Sequence, residues 1–107
     1  LVAAALAREQ VLMALEEFMA NEAELGVDKG ILIWCSPSDC SIIAGHKRSN
    51  IEFLINQFHF PEIKIMGADD LDRGTVGISR INSGKPKIIL PENRFLLQYV
   101  TKRLMAN

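Results

Sequence analysis

The chain has no surplus of basic charge: 12 Lys and Arg stand against 13 Asp and Glu, a formal net charge of −1. Proteins that grip nucleic acid non-specifically carry a cationic footprint, so nucleic-acid binding is not the expected role. Cysteine is scarce too. Its two cysteines cannot build a multi-bridge disulfide framework, and no Cys/His spacing resembles a zinc site, so neither a metal nor a cofactor is expected. That sparing use fits a reducing, cytoplasmic setting. No apolar run approaches the ~20 residues that cross a bilayer, so no membrane span is expected. Also missing are a Ser/His/Asp nucleophile signature, a glycine-rich dinucleotide fingerprint, a P-loop and an aromatic RNA-binding motif. No catalytic residue is nominated, and the expectation leans away from an enzyme.

What is present reads as one α+β domain over residues 1–107, long enough to bury a real core. The chain opens on Leu1 without an initiator Met. Ala5-Leu6-Ala7 has the small-x-small look of a signal cleavage site, but no basic region precedes it. The expectation is therefore a piece of a longer chain that starts inside a helix.

From Ala3 to about Glu24 the pattern is helical. Ala4, Val11, Leu15, Phe18 and Met19 recur at spacings of three, four and seven, and Gly26 supplies a stop signal. Leu6, Leu12 and Met13 broaden the apolar stripe beyond one narrow face. A terminal helix that wide can pack on a sheet and on a partner at once, which nominates Val11, Leu15 and Phe18 as an interface.

Ile31–Cys35 and Cys40–Ala44 are short apolar runs on either side of Ser36-Pro37-Ser38-Asp39. This arrangement predicts a β-hairpin with a four-residue loop, covered on both faces because the runs do not alternate. Ser49 with Glu52 reads as a capping box opening a helix whose buried face is Ile51, Leu54, Ile55 and Phe58, with Pro61 as its stop. His59, between two phenylalanines, reads as half-buried. Residues 62–66 alternate with Ile63 and Ile65 inward, and 67–74 form an acidic loop. Residues 75–81 form a strand that pairs through the Asn82-Ser83-Gly84 turn with 85–90. A final helix begins at Pro91-Glu92-Asn93, with Leu96, Val100 and Leu104 as its stripe and Phe95 and Tyr99 beside it.

The expected order is thus α-β-β-α-β-β-β-α, a single mainly antiparallel sheet with helices packed on it. That order is similar to the roadblock and longin-like families, with Ser36-Pro37-Ser38-Asp39 in place of the roadblock Asp-Gly hairpin. The resemblance implies a small scaffold that pairs into dimers and docks onto larger machines.

Three constellations have chemical content. Trp34-Cys35-Ser36-Pro37-Ser38-Asp39-Cys40 resembles the thioredoxin active site, but four residues separate the cysteines where thioredoxins have two. Across a hairpin loop the pair could form only a reversible disulfide, and inert, semi-buried thiols are the blander alternative. Gly45, His46, Lys47, Arg48 and Ser49 run into a helix N-terminus, a setting that favours an anionic small molecule or nucleotide unless the capping box already satisfies it. Asp69, Asp70 and Asp72 lack EF-hand spacing, and a nuclease-like role would need Lys85 or Lys87 beside them.

The leading functional expectation is a non-catalytic assembly or regulatory domain that binds a protein partner or itself. Anion binding at residues 45–50 and a thiol switch at Cys35 and Cys40 are the alternatives.

Overall fold

The structure, a computed structural model, describes residues 2–21 and 30–105. The first helix's expected end near Glu24 and its stop at Gly26 lie outside the described residues. Helix α1 (Val2–Asn21) is built from Ala, Leu, Met and Glu, all strong helix formers. Ala7, Val11, Ala14, Leu15 and Phe18 are buried at the spacing of one helical face. Val11, Leu15 and Phe18 are fully inaccessible, so the nominated interface is spent on the protein's own core and cannot serve a partner while the fold holds.

Strand β1 (Ile31–Cys35) forms as expected, but the hairpin does not. Pro37 starts a single 3₁₀ turn, Pro37–Asp39, and Cys40–Ala44 is a short helix, α2. Proline has no N–H for a ladder and its fixed φ suits the first turn of a helix, while an acidic residue in that turn favours the helix start. Ser36-Pro37-Ser38-Asp39 is thus a helix entry, closed by the Asp39 N–H donating to the Ser36 carbonyl at 2.8 Å.

A second 3₁₀ turn, His46–Arg48, leads into α3 (Ser49–Phe58). The capping box does not form. Ser49 is already inside the helix, and the capping position is Arg48, in a left-handed conformation with no side-chain cap. The expected buried face is only partly sealed: Ile51 and Leu54 are buried, while Ile55 and Phe58 are partly exposed. His59 ends α3 with φ of 61° and is exposed, not half-buried. Asn50 is buried instead. Its amide donates to the carbonyls of Ala4 and Ile43, both at 3.1 Å, tying α1, α2 and α3 together.

The remaining elements are β2 (Ile63–Gly67), β3 (Val76–Arg80), β4 (Ile88–Leu90) and α4 (Glu92–Met105). They form one four-stranded mixed sheet in the order β2-β1-β3-β4. β1 pairs parallel with β2 and antiparallel with β3, and β3 pairs antiparallel with β4. The α+β class holds, whereas the five-strand order does not. With helices between them, β1 and β2 become parallel neighbours, because a parallel pair needs a crossover and not a tight turn. The likeness to roadblock and longin-like proteins rested on the α-β-β-α-β-β-β-α order, which the chain does not have, and does not carry over.

One sheet face is the core. Ile31, Ile33, Cys35, Ile63, Val76, Ile78 and Leu90 pack there against α1, α2, α3 and Phe95. On the other face Trp34 donates its indole N–H to the Ser79 hydroxyl at 2.8 Å. Pro86 lies across Gly77, where an added Cβ would fall 2.9 Å from the proline ring. The glycine lets the segment after β3 fold back onto this face, beside Trp34.

Helix α4 departs most from expectation in how it is turned. Phe95 is buried and Tyr99 half-buried, with their rings 5.4 Å apart, so they make its inner face. The expected stripe of Leu96, Val100 and Leu104 faces outward.

Candidate functional site

Four chain segments meet at the carboxyl end of β1. Cys35 stands opposite Gly67 of β2 and Val76 of β3, and Val76 stands opposite Leu90 of β4. The segments after β1, β2 and β4, and the one entering β3, therefore converge on this edge. Open sheets that carry ligands or chemistry tend to do so at such strand ends, where neighbouring connections diverge.

Cys35 ends the strand and Cys40 begins α2. The intervening 3₁₀ turn folds the chain back so that the two sulfurs lie 3.5 Å apart. The Cys40 thiol also lies 3.8 Å from the Ser36 carbonyl. A disulfide bond is about 2.05 Å long, so both thiols are free but stand within a small displacement of bonding. The sulfurs differ in access: Cys35 is buried and Cys40 is partly exposed. Burial pushes the Cys35 thiol up to about 12, reinforced by its hydrogen bond with Cys40, the Cys40 charge and the Asp39 carboxylate.

Asp39, between the cysteines in sequence, is buried. Its Oδ2 accepts the Gly74 N–H at 2.7 Å, and its Oδ1 stands 3.8 Å from the Arg73 guanidinium. Gly74 has φ of 85°, and a Cβ there would collide with the Glu92 carboxylate. Only glycine serves at this point, where the β2–β3 loop is pinned between the start of α2 and the start of α4. Gln10 of α1 completes the clamp, its amide donating to the carbonyls of Gly74 at 2.7 Å and Leu90 at 3.0 Å.

Sequence reasoning singled out the two cysteines but placed them on facing strands. Its other nominees do not join them. Gly45 to Ser49 lie at the opposite end of α2 from Cys40; His46, Lys47, Arg48 and Ser49 are exposed, and both Lys47 and Arg48 are left-handed. Asp69, Asp70 and Asp72 are exposed on the β2–β3 loop, while Lys85 follows the far end of β3, away from them. Among the described residues no group of three or more His, Cys, Asp or Glu is placed to hold a metal ion. Gln10, Asp39 and Gly74 went unrecognised because their partners are 35 to 80 residues away. The one local hint was Pro37 followed by Asp39, a helix-start signature.

The chain matches no protein-family model, no curated protein and no solved structure. Among the described residues no helix is long and apolar enough to cross a membrane.

Proposed function

We propose that this protein is a thiol redox module in which Cys35 and Cys40 interconvert between a dithiol and an intramolecular disulfide. The observation that carries the reading is the 3.5 Å separation of the sulfurs across a strand-to-helix junction. The co-reactant is a low-molecular-weight disulfide. Cys40, the accessible thiol, attacks one sulfur of it as the thiolate, forming a mixed disulfide and expelling one thiolate. Cys35 then loses its proton and attacks Cys40 Sγ, expelling the second thiolate and closing the Cys35–Cys40 bond. Two protein thiols are oxidised, one small disulfide is reduced to two thiols, and the reverse exchange restores the starting state.

Equilibrating the protein with mixtures of reduced and oxidised glutathione, followed by acid quenching, alkylation and mass spectrometry, tests this. The expected result is a two-electron transition between a species alkylated at both cysteines and one alkylated at neither. Cys35→Ser is expected to stop at the Cys40 mixed disulfide. Two thiols that stay alkylatable in fully oxidised glutathione overturn the proposal.

A second reading, self-association, is favoured by the outer face of α4. Leu97, Leu104 and Met105 are 70%, 71% and 80% exposed, and Val100 is 52% exposed. Leu97, Val100 and Leu104 follow the three–four spacing of a helix–helix seam, and Asn93 continues it toward the N-terminus. A second copy of this chain fits, because the same residues supply both halves of a two-fold helix pair. Light scattering during size-exclusion chromatography is expected to find a dimer that Leu97→Gln with Leu104→Gln converts to a folded monomer. A wild-type monomer at every concentration tested refutes this reading.

A further inference from the structure

Beside the thiol pair, and independent of it, the first turns of α1, the start of α2, the β2–β3 loop and the start of α4 enclose a cleft of about 520 Å³. That volume lies in the range of small-molecule sites. Its walls are apolar, with Ile42 and Phe95 among them, and its polar groups are Gln10, Asp39, Arg73 and Glu92.

These polar groups are mostly acceptors. Gln10 is only 6% exposed, and its amide nitrogen is committed to two backbone carbonyls. That fixes the orientation of the side chain and leaves its Oε1 open to solvent, with no donor among the described residues. Asp39 Oδ1 has only Arg73 near it, at 3.8 Å, beyond hydrogen-bond length, and the Arg73 side chain is largely exposed. Glu92 adds a second carboxylate. Two anionic groups and a neutral oxygen thus face one largely exposed cation at the rim. Acceptors held in place by bonds to the backbone, as on Gln10 and Asp39, are preorganised for a donor-rich, cationic guest. The apolar walls suit a hydrocarbon attached to it.

We infer that this cleft binds a primary ammonium group carrying an apolar body, with the ammonium donating to Gln10 Oε1, Asp39 Oδ1 and the Glu92 carboxylate. The chemistry is the same for a free arylalkyl amine and for the side chain of a lysine in a peptide, and the test separates these sources.

The probes are phenethylamine, 3-phenylpropionate as its anionic counterpart, and an acetylated, amidated tripeptide with a central lysine, each added to the reduced protein. Chemical-shift changes in ¹H–¹⁵N spectra are followed at the Gly74 and Gln10 amides. Saturable shifts are expected with an ammonium probe and not with the carboxylate. The tripeptide binding at least tenfold more tightly than phenethylamine assigns a peptide source, and the converse a free amine. Glu92→Gln is exposed enough to leave the fold intact and is expected to weaken the amine at least fivefold. Asp39→Asn keeps an acceptor for the Gly74 N–H and is expected to weaken it further. Repeating the titration on Cys40→Ser is expected to give the same affinity, which keeps this result separate from that of the thiol proposal. Equal response to amine and carboxylate, no saturable shift with either ammonium probe, or unchanged amine affinity in both carboxylate variants overturns the inference.

Discussion

Phe18→Ala is expected to cost about 3–5 kcal/mol of unfolding free energy, a large share of the roughly 5–15 kcal/mol that holds a domain of this size together. Phe18 is fully inaccessible and packs in the same cluster as Ile31, Ile33 and Leu54. Its removal strips transfer energy and leaves a cavity that α1, tied to α3 by the Asn50 amide and to the β2–β3 loop by Gln10, cannot easily collapse into. Urea unfolding followed by far-ultraviolet circular dichroism and by Trp34 fluorescence measures it; Trp34 is the only tryptophan. The control is Gln98→Ala on α4, a larger-to-smaller change at an exposed site, expected to stay within about 0.5 kcal/mol of wild type. A loss below about 1 kcal/mol for Phe18→Ala would mean that α1 is not seated as described. The contrast also separates the two helices: truncation on the inner face of α1 strips the core, and truncation on the outer face of α4 does not.

That separation was only half legible in the sequence. The helical periods of α1, α3 and α4 are visible, because apolar residues recur every three or four positions. Which apolar stripe faces inward is not. In α4 both Phe95/Tyr99 and Leu96/Val100/Leu104 obey helical spacing, and only the aromatic pair meets the core. The Ile63/Ile65 alternation and the Asn82-Ser83-Gly84 turn predicted β2 and the β3–β4 pairing because strand period and turn chemistry are local signals. The segment after Cys35 misled for a physical reason. Ser, Pro and Asp populate both hairpin loops and helix starts, and an Ile-Ile run is as compatible with a buried helical turn as with a strand. At Ser49 the capping-box spacing was present, but the chain enters α3 through left-handed Lys47 and Arg48, so the box has no N-cap to occupy. The thiol site inherits this pattern: its residue types are visible in the sequence, and its geometry depends on the one turn, Ser36 to Asp39, whose chemistry suits a hairpin loop and a helix start alike.

Closure of the Cys35–Cys40 disulfide from a Cys40 mixed disulfide is expected to accelerate about tenfold for each pH unit, or roughly a hundredfold between about pH 6.5 and about pH 8.5. The attacking group is Cys35, whose thiol is pushed up to about 12, so only a trace is thiolate at neutral pH and that trace grows in proportion to hydroxide. Capping Cys40 removes its charge and its hydrogen bond from the causes of the shift. Burial, the largest cause, remains, and the dependence stays log-linear across that window. An aromatic disulfide reagent resolves the steps in a stopped-flow instrument. The first aryl thiolate is released when Cys40 attacks, in a phase that depends on reagent concentration. The second is released when Cys35 closes the ring, in a phase that does not. The sign of the linkage to stability follows from the same shift. The folded state keeps the Cys35 proton that the unfolded chain gives up near pH 9, so the reduced form loses stability as pH rises from there toward about 12. Once the bond closes there is no proton to lose, and this loss is expected to vanish in the oxidised protein. A second phase whose rate is flat over the pH window, or whose rate scales with reagent, would place Cys35 outside the exchange and leave Cys40 an ordinary exposed thiol.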